Sequence, residues 1–174
     1  MKVPIKPKML TKFKIGWRYI ILHDVSCNFD GLGEFYTDNI KSQVNRLRTA
    51  DYIMNGQHDL NFHYLVERME EDYEVVIGRP LSAMCEYDDI PDNINRASVH
   101  VGMMGNFNYK IPDNRFYMQL SYKIISPLIQ QYGIQRDRIL DHDEISINED
   151  LECPGKLFDK QKLLGMAYNM FVSF

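Results

Sequence analysis

Cysteine is scarce in this 174-residue chain: there are three, Cys27, Cys85 and Cys153. An odd number cannot all pair internally, and their wide spacing excludes a CxxC knuckle or redox pair. They read as reduced thiols made in a cytoplasm, which excludes a disulfide-stapled fold. Long apolar runs are missing too. The basic opening, MKVPIKPKMLTKFKIGW, lacks the continuous apolar stretch of a secretory signal, and no later segment is long enough to span a membrane. The expectation is cytoplasmic synthesis without a signal peptide, and no membrane partner. Nor is there an excess of positive charge. Lys and Arg total 20 against 24 Asp and Glu, a net −4, so nucleic acid is not an expected partner. Repeats, low-complexity tracts and linkers are absent as well.

What is present suits one globular domain. The chain is 45% hydrophobic and 25% charged, enough for a core without staples. Residues 1–16 read as an extended arm and 17–174 as the domain. WRYIIL (17–22) is β-branched and aromatic, the signature of a buried strand. CNFDGLGEFYT reads as a loop with a turn at Asp30-Gly31. A helix over 38–50 would be capped by Asp38 and place Ile40, Val44 and Leu47 on one face. FHYLVERM (62–69) and YEVVIGR (73–79) read as strands about an acidic turn. Residues 80–96 form a long polar loop, a common location for substrate contacts. ASVHVGMMGNF (97–107) reads as a central strand. A helix capped by Asp113 would carry Phe116, Leu120, Ile124 and Leu128 on one side, with Pro127 forcing a kink or an end. RIL (138–140) is a short strand, and a last helix spans about 159–172. Strands mixed with helices predict an α/β or α+β domain, a mixed central sheet flanked by helices.

Three residues have the chemistry of a zinc site. His23 follows the WRYIIL strand, His142 lies in RILDHDEI, and Cys153 lies in LECPGKLF between Glu152 and Pro154-Gly155. Imidazole and thiolate suit one Zn²⁺, and three protein ligands leave a fourth position open for water, as catalytic zinc requires. Cys27 is close to His23 in sequence but lacks the Cys-Pro-Gly setting. His58 reads as an uninvolved histidine.

Four blocks in order resemble the zinc-dependent N-acetylmuramoyl-L-alanine amidases of the phage-lysozyme and peptidoglycan-recognition-protein type. They are YIILHDVS, DLNFHYLVERMEEDYEVVIGRP, ASVHVGMMGNFN and ILDHDEISINEDLECPGKLFD, spanning about residues 17–160. The resemblance implies one Zn²⁺ on His23, His142 and Cys153, peptidoglycan as partner, and cleavage of the amide between the lactyl group of N-acetylmuramic acid and L-alanine. Asp141, Asp143 and Glu144 are nearby candidates to orient the ligands. A single domain without a signal fits a phage endolysin that reaches the cell wall after release by a separate membrane-disrupting protein. Some phage amidases of this type also bind host RNA polymerase, so a protein partner is conceivable, and no motif here identifies one.

The chain departs from the family pattern where protons are handled. Phe62 stands at the usual tyrosine, Leu151 at the usual lysine, and Gly102 where a cytoplasmic branch has glutamate. His100, two residues before Gly102 on the same strand face, is the expected replacement acid/base. His63, Arg79, Cys85 and Asn106 are candidate substrate contacts; for His63 the alternative is hydrogen bonding within the sheet, and for Cys85 a buried thiol. Glu86, Tyr87, Asp88 and Asp89 form either an acidic substrate loop or a solvated one. Two other functions compete with the amidase reading. One is an amidase fold that binds peptidoglycan fragments or another partner without cutting; the other is a zinc hydrolase of a different amide.

Overall fold

The structure, a computed structural model, describes residues 16–25, 44, 47, 48, 60–69 and 72–169. The N-terminal arm, the Asp30-Gly31 turn, the Asp38 cap, Cys27 and His58 lie outside the described residues. Five strands form one sheet: β1 (Tyr19–Asp24), β2 (Tyr64–Met69), β3 (Asp72–Ile77), β4 (Ser98–Met103) and β5 (Ile139–Asp141). Their spatial order is β3-β2-β4-β1-β5. β1 is parallel to both β4 and β5, β2 is parallel to β4, and the β2–β3 hairpin is antiparallel. The domain is therefore mixed, as the interleaved strands and helices predict.

Alternation along the strands divides the core in two. Ile20, Leu22, Val66, Val99, Val101 and Met103 face one side and pack in the larger cluster. Helices α2 (Asn114–Leu120), α3 (Ser126–Tyr132) and α4 (Lys160–Asn169) cover that side with Phe116, Leu120, Ile124, Leu128, Leu163, Leu164 and Ala167. The expected Phe116-to-Leu128 stripe is thus core; each such side chain contributes about 1.5–3 kcal/mol on burial. Asp113 caps α2, its carboxylate accepting from the Phe116 N–H at 2.8 Å. The helix does not end at Pro127. A π-helical turn, Ser121–Ile125, joins α2 to α3, and Pro127 falls in the first turn of α3. There a proline costs little, because the N–H it lacks would have had no intrahelical partner.

On the opposite side Leu65 packs with Val25, Leu60, Phe62, Met104 and the helical Val44 and Leu47, a pair at the expected spacing. The loop after β3 holds one short helical turn, α1 (Asp92–Asn95). Among the described residues, no helix is long and apolar enough to cross a membrane.

Candidate metal centre

Parallel pairing brings the two histidines together. β1 and β5 run side by side with Leu22 opposite Asp141, so the residues that follow, His23 and His142, emerge at the same sheet end. His142 opens a 3-10 turn, His142–Glu144, fixed by a capping box. The Asp141 side chain accepts from the Glu144 backbone, and the Glu144 carboxylate accepts from the Asp141 N–H at 2.7 Å. Lys160 bridges Asp141 and Glu144 from the start of α4. Cys153 arrives on a loop tied to that turn: the Asp143 N–H donates to the Cys153 carbonyl at 3.0 Å. Gly155 makes the loop possible. Its φ is +108°, and a Cβ there would stand 2.7 Å from the Phe107 carbonyl carbon.

Ligand atoms of His23, His142 and Cys153 lie within 4.8 Å of one another, and all three residues are buried. Ligands on a tetrahedral zinc stand roughly 3.5 Å apart, from bonds of about 2.0–2.3 Å, so contraction by about 1 Å would close the set. The surroundings suit metal ligation. His23 Nε2 lies 2.9 Å from His100 Nδ1. His142 Nε2 lies at ion-pair distance, 2.9 Å, from Asp89 Oδ2, though off ideal hydrogen-bond alignment. With each Nε2 turned to a partner, Nδ1 is the nitrogen left for a metal. Burial, then the neighbouring His100 and His142, holds His23 well below the usual histidine pKa. Burial also lowers His142, with Asp89 opposing. Both rings are therefore neutral near pH 7, the state that ligates. The Cys153 sulfur accepts from the Asp24 N–H at 3.3 Å, a contact that favours thiolate.

Tyr87 lies against this cluster. Its ring stacks on His23 at 4.6 Å and on His100 at 4.7 Å, and meets His142 edge-on at 5.5 Å. Its hydroxyl donates to the Asn61 carbonyl at 2.9 Å. Asn61 also grips Glu86, donating through Nδ2 to its carbonyl at 2.5 Å and accepting its N–H at 2.9 Å.

The chain matches the N-acetylmuramoyl-L-alanine amidase family over residues 14–156. It belongs to that family. Solved structures with the same fold include amidase LysC from Clostridium intestinale, 18% identical, TM-score 0.64, covering 87% of this chain and 85% of that one. Drosophila PGRP-LB is 14% identical with TM-score 0.60, covering 94% and 84%. An AmpD derivative is 17% identical with TM-score 0.63, covering 87% and 84%. A PGRP-LB mutant in complex with tracheal cytotoxin is 17% identical with TM-score 0.60, covering 84% and 80%. No curated protein sequence matches.

Within this amidase-family domain the other expected site residues fall into different places. His100 shares the sheet face of His23, as alternation requires, but it has 0% exposure and sits between His23 and the β2 side of the sheet. Burial, then His63, lowers its pKa to about 3, with the Asn95 carbonyl opposing. Its Nδ1 faces His23 Nε2 at 2.9 Å, so the ring expected as acid/base contacts a candidate metal ligand in this conformation. His63 lies inside the sheet. It is 1% exposed; Nε2 donates to the Ala83 carbonyl at 3.0 Å, and Nδ1 accepts from the His100 N–H at 2.9 Å. Both nitrogens are used inside the sheet and none faces a substrate. Cys85 is 2% exposed with its sulfur 3.4 Å from His63 Nδ1, which places it in the interior rather than against a ligand. Arg79 donates to the Met84 carbonyl at 2.6 Å and shapes the loop start. Asn106 lies in a turn, its Oδ1 accepting from the Asn108 N–H at 3.2 Å. Leu151 is half-buried.

Phe62 and Gly102 are one feature. Gly102 is the register partner of His23, and a Cβ on it would stand 3.0 Å from the Phe62 ring and 2.9 Å from Leu65 Cδ1. The Phe62 ring, edge-on to His23 at 5.5 Å, fills the space a larger residue 102 would need. The carboxylate beside His142 is that of Asp89, which also accepts from Ser146 Oγ at 2.7 Å. Asp141 and Glu144 build the turn instead. Tyr87 and Asp89 were visible in sequence only as members of an aperiodic acidic loop; their alternation, two positions apart, was the available signal.

Proposed function

We propose that this chain is a zinc-dependent N-acetylmuramoyl-L-alanine amidase that cuts peptidoglycan between the lactyl group and L-alanine. The observation that carries the reading is the convergence of two neutral imidazoles and one thiol at the C-terminal ends of two parallel strands. A zinc ion bound there would activate water near neutral pH and polarise the scissile carbonyl. The chain's own residues hold that site. His100 and Asp89 fix the two imidazoles, and the Asp24 N–H steadies the Cys153 sulfur. At the positions where family resemblance places proton donors stand Phe62, Leu151 and Gly102. Protonation of the leaving amine then falls to solvent. A positioned acid or base is worth about 10²–10⁴-fold, so turnover is expected to be slow.

A phage-type endolysin, made in the cytoplasm and acting on the wall after release, is the setting we propose. The test is zinc stoichiometry by elemental analysis, followed by incubation with purified peptidoglycan. Release of stem peptides, abolished by a chelator and by Cys153→Ser, supports the amidase. The second reading, binding without cleavage, is favoured by Phe62 and by the buried ligands. Zinc retention with peptidoglycan binding and no peptide release would replace the first reading by the second.

A further inference from the structure

The sheet does not hold the second imidazole directly. β5 ends at Asp141, and His142 opens the 3-10 turn that follows. Alternation puts the Asp141 side chain on the side of Ile139, which belongs to the larger core, and so towards α4. There Lys160, the first residue of α4, meets it: Nζ lies 3.4 Å from Asp141 Oδ2 and also contacts Glu144 Oε2. These are the two carboxylates of the capping box, and side by side they repel. Among the described residues no other cation pairs with either. The lysine side chain is only 15% exposed, so water screens little of its charge. Its base is fixed as well. The Asp159 N–H donates to the hydroxyl of buried Tyr117 at 2.7 Å, and the Asp159 carboxylate accepts the Lys162 N–H at 2.9 Å, as a helix cap does. Leu163, Leu164 and Ala167 then seat α4 in the larger core. The turn's other described hydrogen bonds outward run to loops: Asp143 N–H to the Cys153 carbonyl, and the Ser146 hydroxyl and Ile147 N–H to Asp89.

We propose that Lys160 is a positioning residue for the metal centre: its ammonium holds the turn between Asp141 and Glu144 in place, so that α4 helps to set where His142 stands. It touches no ligand and acts through the turn. The family match covers residues 14–156 and stops short of it. The inference deepens the amidase reading and rests on it for the metal, but not for the hydrolysis. Closing a zinc site draws three ligand atoms that lie within 4.8 Å to about 3.5 Å of one another, so a misplaced His142 backbone is felt as lost affinity.

The test is the zinc affinity of the full chain, by competition with a chromophoric chelator, together with the visible bands of the cobalt-substituted protein, which report four-coordinate geometry. Loss of a partner that directly orients a ligand costs about 10–100-fold in metal affinity. Lys160 acts one step further out, so Lys160→Met is expected to raise the zinc Kd about fivefold to tenfold and to weaken the cobalt bands at saturating metal. Lys160→Gln, neutral but still able to donate to one carboxylate, should show a smaller rise. Lys160→Arg keeps the charge and can bridge both carboxylates, and should restore Kd to within about twofold. Lys162→Met is the control. Its ammonium lies over the Tyr117 ring at 4.5 Å on the same helix and makes no ion pair to the turn, so Kd and bands stay at wild-type values. A lowered melting temperature in Lys160→Met with Kd and cobalt bands unchanged overturns the proposal, because that is the behaviour of a purely structural ion pair. So does an equal rise in Lys162→Met, which reports general loosening of α4. If Lys160→Met does not fold, Lys160→Gln decides by the same criteria. Failure of the amidase reading shows separately, as zinc bound at wild-type affinity with no stem peptide released. A wild-type chain that takes up no zinc overturns both.

Discussion

Asp89→Ala tests the link between the polar loop and the second imidazole. The substitution removes Oδ2 from its position 2.9 Å from His142 Nε2 and from the Ser146 hydroxyl at 2.7 Å. It leaves the backbone tie, the Ile147 N–H to the Asp89 carbonyl at 2.8 Å, in place. Loss of a partner that orients a metal-binding histidine typically costs 10–100-fold in affinity. The Asp89 side chain is 31% exposed and off ideal alignment with the ring, so water screens part of its field. The low end is therefore expected, about tenfold in zinc Kd, or ~1.4 kcal/mol. Competition with a chromophoric chelator at pH 7.5 measures it. Ser146→Ala is the companion: it removes a hydrogen bond to Asp89 but keeps the carboxylate, and should change Kd by less than about threefold. A Kd within twofold of wild type in Asp89→Ala, with circular dichroism unchanged, would refute the assignment of Asp89 as the orienting group.

Three further outcomes follow from named contacts. Gly155→Ala combines a disfavoured φ of +108° with a 2.7 Å approach to the Phe107 backbone, and should cost about 1–3 kcal/mol or more in urea denaturation while weakening zinc binding through Cys153. Gly102→Ala should cost about 1–3 kcal/mol by overpacking, and measurably less in a Phe62→Leu background, so a double-mutant cycle with zero coupling would contradict the packing described. His63 has its pKa lowered from 6.5 to about 4, chiefly by burial, so the unfolded chain binds its proton first as pH falls. Its contribution is complete above about pH 6.5 and lost progressively towards pH 4, at most about 3 kcal/mol, and His63→Gln should flatten that part of the stability–pH curve of the metal-free protein.

The strands and the three metal-type residues were legible because each depends on local pattern plus one topological fact. WRYIIL and SVHVGM alternate or run apolar, and parallel neighbours present the residues after Leu22 and Asp141 at one end of the sheet. His100 shows the limit of that reasoning. Alternation fixed its face, but depth is set by what covers the strand, here Tyr87, from a segment with no periodicity. Asp89 escaped for the same reason, whereas Asp141 and Glu144, close to His142 in sequence, bond to each other's backbone and build their own turn. Pro127 pointed to a break, and the π-helical turn before it let the helix continue.

The imidazoles of β1, β4 and the approach to β2 also form a row. His23 and His100 are 5.2 Å apart, His100 and His63 6.1 Å, at interplanar angles of 28° and 24°. If His23 gives Nδ1 to a metal, its Nε2–H must donate to His100 Nδ1, which in turn leaves His100 protonated on Nε2. His63, accepting at Nδ1 and donating at Nε2, already has the same tautomer. One metal bond at the end of β1 would therefore set the tautomers of His23 and His100, matching the one that His63 holds through backbone partners. Nitrogen NMR of the His100 imidazole would register metal loading one strand away from the metal itself.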